Sequence, residues 1–279
     1  MYLYDYHIHS INSNDGKSTI SELCVNAIEA KLKEISITDH FEPVSDNENG
    51  SDYDFRSYYY EMMKVKSIFS EKLKINFAVE LGQPHMFPKI SQKLIESHPY
   101  DYVLASVHRL YDGTDLGRVT YNTGNLYLYC DKYLDELKSL AKWNQFDCVG
   151  HLDLVKRYAA NFNLRVNLMD YRERLEEILK IIIDNGKGIE VNTSGLRQAA
   201  GETLPGPEII KLYRQLGGEI ITVGSDAHIA RDVGNGIREG LELIEHAGFN
   251  YVTVYSKRKP TMIKISKHYP DNSKSKKTA

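Results

Sequence analysis

The sequence predicts a single α/β domain, a barrel of parallel strands with helices outside, and three observations lead there. Short apolar runs of strand length alternate along the chain with longer amphipathic ones. No change of pattern and no linker composition divides the 279 residues, and α/β barrels of this length form one domain. Nearly every apolar run also stops at side chains able to bind metal, which parallel barrel strands would gather on one face.

The strand runs, in order, are Tyr2–His9, Glu34–His40, Ile75–Leu81, Tyr102–His108, Cys148–Asp153, Gly188–Asn192 and Glu219–Ser225. After the first, Thr19-x-x-Glu22 reads as a capping box opening a helix that turns Leu23, Ala27, Ala30 and Leu32 inward. A later helix, Leu168–Asn185, sets Leu168, Tyr171, Leu175, Ile178, Leu179 and Ile182 on one face, with Gly186 as its stop. The domain is expected over 1–270, with 271–279 a frayed tail lacking apolar anchors.

Composition narrows the class. Apolar residues are 42% and charged residues 26%, which excludes a disordered or fibrous chain. No apolar run reaches membrane-span length, and the start MYLYDYHIHS lacks a signal-peptide pattern. Cys24, Cys130 and Cys148 are far apart and odd in number, which points to a reducing, cytoplasmic compartment. Thirty-five basic residues against thirty-eight acidic ones leave no electrostatic footprint for nucleic acid.

The strand endings carry the chemistry. Residues i and i+2 on a strand face the same side, so His7 with His9, and Asp226 with His228, can each lean toward one cation. Either pair alone is weak evidence. Six of the ten histidines, however, fall at the ends of five strand runs: His7 and His9 on the first, then His40, His108, His151 and His228. Glu80 ends the apolar run Phe77-Ala-Val-Glu80, where an uncompensated carboxylate would be costly to bury and a cation would offset that cost. The set reads as a polynuclear metal site.

These strings, Asp5-Tyr-His7-Ile-His9-Ser10, Thr38-Asp39-His40, Glu80, Ser106-Val-His108, Gly150-His151-Leu-Asp153 and Gly224-Ser-Asp226-Ala-His228, resemble the PHP (polymerase and histidinol phosphatase) superfamily. Within it the pattern is most similar to the stand-alone L-histidinol-phosphate phosphatases. Glu190-Val-Asn-Thr-Ser194-Gly-Leu-Arg197 and Arg258-Lys-Pro260 extend the resemblance, which runs from Tyr4 to about Ile265. It implies a distorted (β/α)7 barrel with its active site at the C-terminal strand ends and three divalent ions. Carried over by residue, His7, His9, Glu80 and Asp226 hold the first ion. Glu80 bridges to a second, completed by His108 and His151, and Asp15, His40 and His228 hold the third. The bland alternative for Asp15 is a plain turn over Asn12–Gly16.

Clustered cations suit phosphomonoester hydrolysis, because they make hydroxide available near neutral pH and spread the charge of the transition state. The expected reaction is hydrolysis of L-histidinol phosphate, a small-molecule partner, by a metal-bridging hydroxide. Imidazole and carboxylate ligands without thiolate leave Zn, Mn and Fe open. Arg157 and Arg197 follow the fifth and sixth strands and are expected to grip phosphate, with Ser194 adding a hydroxyl; Arg109 is a weaker candidate. Asp226 or His228 is expected to pass a proton to the leaving alkoxide, and Glu42 to meet the substrate amine. Two rivals stay open here. One is a nuclease or nucleotide phosphatase, which would release phosphate from oligonucleotides; the other is a metal-binding module without turnover. An amidohydrolase-like barrel also opens with H-x-H but typically has a bridging lysine where Glu80 stands.

Overall fold

In a computed structural model, which describes residues 2–43 and 54–265, eight strands build the main sheet. They are β1 (Tyr4–Ile8), β2 (Glu34–Ile37), β3 (His40–Phe41), β4 (Lys74–Gly82), β5 (Tyr102–Ser106), β6 (Cys148–Val149), β7 (Gly188–Asn192) and β8 (Ile221–Gly224). Seven run in the order β1-β2-β4-β5-β6-β7-β8, every pair parallel, with β3 as a short second partner of β4. The outer pair meets without a regular ladder. Ile8 and Ala227 form one parallel bridge, and the Asp226 N–H donates to the His7 carbonyl at 2.8 Å. The barrel is therefore closed loosely at the seam where His7 meets Asp226.

The strands are buried on both faces, as parallel strands covered by helices are. The helices are α1 (Ile20–Glu29), α2 (Phe55–Phe69), α3 (Pro88–Ser97), α4 (Leu126–Trp143), α5 (Leu154–Ala160), α6 (Arg172–Asp184), α7 (Pro207–Gln215) and α8 (Ile237–His246). Thr19 and Glu22 form the expected capping box at the start of α1. Among the described residues, no helix is long and apolar enough to cross a membrane.

Several boundaries differ from the sequence reading. Leucine and alanine at 23 and 27 are buried on α1, but Ala30 is its exposed cap and Leu32 lies beyond it. The run Glu34–His40 breaks into β2 and β3, and Cys148–Asp153 shortens to two paired residues. Asp39, whose carboxylate accepts from the Ser10 N–H and hydroxyl, lies at the first break, and His151, at φ +24°, follows the end of the second run's pairing. The helix expected from Leu168 begins with a 3-10 turn over Leu168–Tyr171, and α6 starts at Arg172; Gly186 is left-handed, as its stop requires. The tail expected over 271–279 lies outside the described residues.

One element was not foreseen. β9 (Tyr251–Ser256) and β10 (Lys259–Lys264) form an antiparallel hairpin at the N-terminal end of the barrel. Its Tyr255 N–H donates to the Tyr6 hydroxyl at 2.6 Å, and the Tyr255 ring lies 5.0 Å from Tyr102. Beneath them the Glu34 carboxylate, fully buried, accepts from Tyr6 Oη at 2.5 Å and Asn76 Nδ2 at 2.7 Å. This end is filled with hydrogen-bonded aromatic side chains, so the opposite mouth is where ligand can enter.

Candidate metal centre

At the C-terminal mouth, His7 and His9 point the same way from β1, as their spacing predicts. Both are fully buried, and their Nε2 atoms are 2.9 Å apart. The outer nitrogens define the tautomers. His7 Nδ1 lies 2.7 Å from Glu190 Oε1. His9 Nδ1 lies 3.2 Å from Ser13 Oγ, whose own proton goes to Asp39 Oδ1 at 2.7 Å. Each imidazole thus uses its N–H outward and turns the Nε2 lone pair inward. There the lone pairs meet only acceptors: Glu80 Oε2 at 3.3 and 3.4 Å, and Asp226 Oδ1 at 3.5 Å from both. Such an arrangement of converging lone pairs fits a cation.

Glu80 is the hub. Its Oε1 accepts from Ser106 Oγ at 2.5 Å and faces His151 Nε2 at 3.0 Å and His108 Nε2 at 3.4 Å. Its Oε2 is buried without a hydrogen bond, although His40 Nδ1 is 3.0 Å away and is itself unbonded. Across the mouth, Asp15 Oδ2 lies 3.1 Å from His228 Nε2 and 3.6 Å from His40 Nε2. The structure therefore brings together all nine residues expected to bind metal. Groups close enough to share one ion are His7–His9–Glu80, His7–His151–Asp226, His40–Glu80–His108 and His9–His40–His228. These groups overlap, and His9 belongs to two of them.

The charges are mutually dependent. Burial opposes ionisation of Glu80 and Asp226, but His7 and the other cationic neighbours outweigh it and hold both carboxyls well below the usual range. Burial would lower His7, yet Glu190, Glu80 and Asp226 raise it well above the usual range, so without metal its Nε2 holds a proton that a bound cation would displace. His40, against burial and beside Glu80 and Asp15, rises to about 10. His9 is lowered well below the usual range by burial and by His228 and His40, and His151 is lowered chiefly by burial.

The mouth is a cavity of about 220 Å³, lined by Arg157, Tyr158 and Arg109 besides seven of the nine cluster residues; His7 and His9 lie beneath it. A cleft of about 910 Å³ beside α5 and α7 is larger but is not lined by any of the nine. Arg157 bonds Asp226 Oδ2 at 2.6 Å and Ser194 Oγ at 2.6 Å, and its buried Nε has no partner. Arg197 donates to the Asp226 carbonyl at 2.9 Å with a buried Nη1 left over, but it does not line the cavity. Ser194 is fully buried, donating to Asn192 Oδ1 at 2.6 Å while accepting from Arg157. Its hydroxyl is committed to orienting Arg157. Glu42 lines the cavity, but its carboxylate already accepts from His108 Nδ1 and, at 2.6 Å, from Gln83 Nε2. A substrate amine would have to share it.

Sequence reasoning did not single out the supports of this cluster, Glu190 and the Ser13–Asp39 pair, or Tyr158 on the cavity wall. Glu190 and Asp39 stood inside the quoted strings. What could have drawn attention to them is a carboxylate in an otherwise apolar or metal-rich run, the same signal that selected Glu80.

Comparisons with known proteins accord with this geometry. The PHP domain family model matches residues 5–194. A histidinol-phosphatase of Lactococcus lactis is 31% identical over 261 residues, covering 90% of this chain and 94% of the relative. A crystal structure of histidinol phosphate phosphatase from Lactococcus lactis, complexed with zinc, L-histidinol and phosphate, superposes with a TM-score of 0.79. That pair is 28% identical and covers 93% of this chain and 98% of the other. A putative histidinol phosphatase of Listeria monocytogenes has the same fold, with a TM-score of 0.72 at 20% identity over 85% of this chain and 99% of that one. On the extent of the family match and the identity to its Lactococcus relative, this chain belongs to the PHP domain family.

Proposed function

We propose that this protein is a metal-dependent phosphatase that hydrolyses L-histidinol phosphate to L-histidinol and phosphate. The observation that carries the chemistry is the inward convergence of imidazole lone pairs on Glu80 and Asp226, beside an arginine with a buried free N–H. The substrate follows the Lactococcus relatives, one of which holds zinc, L-histidinol and phosphate. In this reading three divalent ions, of Zn, Mn or Fe, are held by His7, His9, Asp15, His40, Glu80, His108, His151, Asp226 and His228. The PHP domain spans 1–270, and the enzyme works in the cytoplasm on a small phosphate monoester, without nucleic acid or membrane.

When bound, the ions lower the pKa of water and offset charge on the phosphoryl oxygens. The chain's own groups do the rest. Arg157, held through Nη2 by Asp226 and Ser194, lines the cavity and sets its guanidinium against a phosphoryl oxygen, with Arg197 supporting from behind through the Asp226 carbonyl. Asp226 is ionised, so it can accept the proton that the attacking water gives up and return it to the leaving alkoxide. His228 has less freedom: its Nδ1 bonds the Asp226 carbonyl at 3.0 Å and its Nε2 faces Asp15. Glu42 shares its carboxylate between His108 and the substrate amine.

The test is phosphate release from L-histidinol phosphate, other phosphomonoesters and short oligonucleotides, using metal-stripped protein re-supplied with Zn, Mn or Fe. Turnover selective for L-histidinol phosphate is expected. Release from oligonucleotides alone would assign a nuclease, and no release with any ester would leave a metal-binding module.

A further inference from the structure

We propose that Glu190 is a positioning residue that sets two metal-competent histidines at once, the His7 ring through its side chain and His151 through its backbone. This rests on the metal-binding part of the proposed function and not on the substrate. Glu190 lies in the middle of β7, 1% exposed. Its Oε1 accepts from His7 Nδ1 at 2.7 Å. Its Oε2 accepts from the His151 backbone N–H at 2.9 Å and from Asn192 Nδ2 at 3.1 Å. One carboxylate thus joins β1, the β6 end and β7, where the groups His7–His9–Glu80 and His7–His151–Asp226 overlap.

Each contact has a separate consequence. With its Nδ1 proton held by Glu190, His7 presents Nε2 as a lone pair, and a carboxylate behind an imidazole also makes that lone pair more basic. His151 has φ of +24°, a backbone conformation unfavourable for a side-chain-bearing residue. A buried acceptor for its N–H offsets that strain, and without Glu190 the N–H would be orphaned in the barrel wall.

The neighbouring strand is built around the same contact. A Cβ at Gly224 of β8 would lie 2.4 Å from Glu190 Oε1 and 2.4 Å from His7 Cβ. Glycine there leaves the space in which His7 and Glu190 meet. Asn192 carries the support onward, donating to both Glu190 Oε2 and, at 3.3 Å, Asp226 Oδ2.

The experiment measures zinc affinity of the full-length protein by competition with a chromophoric chelator. Glu190→Gln keeps the shape but cannot accept at both oxygens, so its zinc dissociation constant should rise roughly ten- to hundredfold. Gly224→Ala should shift affinity the same way with Glu190 present, because the methyl crowds the Glu190 carboxylate and His7 where they meet. Affinities within about threefold of wild type in both variants, where a positioning contact is expected to contribute tenfold or more, would overturn the proposal. A measurement on the unaltered protein stands apart from whether the variants fold. In the zinc-loaded, 15N-histidine-labelled protein, His7 should be protonated at Nδ1 and metal-bound at Nε2. A His7 protonated at Nε2, or bound to zinc through Nδ1, would refute it. Zinc binding is read without substrate, so failure here is distinct from failure of the histidinol phosphate assignment.

Discussion

Arg157 carries two contacts of 2.6 Å, to Asp226 and Ser194, and lines the cavity, whereas Arg197 reaches the site only through a backbone carbonyl. Charge-assisted hydrogen bonds contribute on the order of 1.5–3 kcal/mol, so Arg157→Ala should lower kcat/KM roughly ten- to hundredfold. Arg197→Ala should cost less, and Arg157→Lys should rescue only in part because an ammonium lacks the planar fork. Steady-state kinetics with metal content measured on the same samples checks this, and equal effects of the two truncations would contradict the placement. Glu80 lies within reach of five imidazoles and contributes to two of the candidate ion groups. Glu80→Gln should therefore remove most of the bound metal and nearly all turnover, which elemental analysis of the purified variant would reveal. Full metal content at wild-type rate would exclude Glu80 as a ligand.

At the scale of elements, α1 shows how local sequence and packing divide the work. Thr19 and Glu22 satisfy each other's backbone donors, while Leu23, Cys24 and Ala27 bury its inner face. Thr19→Ala should destabilise the protein by about 1 kcal/mol and leave metal content unchanged, as denaturant unfolding together with metal analysis would show. The capping box and the apolar strand runs were readable because each depends on residues close in sequence. The β9–β10 hairpin was not. Its turn residues Lys257 and Arg258 adopt φ of +50° and +60°, conformations normally signalled by asparagine or glycine. What holds it there is distant in the chain, including Asp147, which pairs with Arg258 at 3.1 Å.

For the whole molecule, metal and protons compete for the same nitrogens. His40 has its pKa raised to about 10, so in the metal-free protein its ionised form stabilises the fold fully below the ordinary imidazole range. That contribution is lost as pH rises through about 10. Metal needs the lone pairs, and the raised pKa values of His7, His40 and His108 oppose loading at low pH. The rise in Tm on adding zinc should therefore be small near pH ~6 and grow toward pH ~8, as melting curves with and without zinc would test. A chelator should abolish activity and lower Tm at the higher pH, with divalent metal restoring both. A zinc-induced Tm rise independent of pH would argue against imidazole as the main ligand.

By itself the sequence determined the alternation of strands and helices, the face on which they end and the residues gathered there. These follow from periodicities of two and 3.6 and from the cost of ending apolar runs in unpaired charge. Only the tertiary structure decided how those residues divide their labour. Ser194 and Arg157 look alike as loop candidates, yet the hydroxyl is sealed behind the guanidinium. Glu42 read as free for an amine and is bound to His108 and Gln83. Glu190 read as part of a strand and touches His7 at 183 residues' distance in the chain. Hydrogen bonds span a few ångströms, and which groups come that close across a barrel depends on register and closure, which no local pattern encodes.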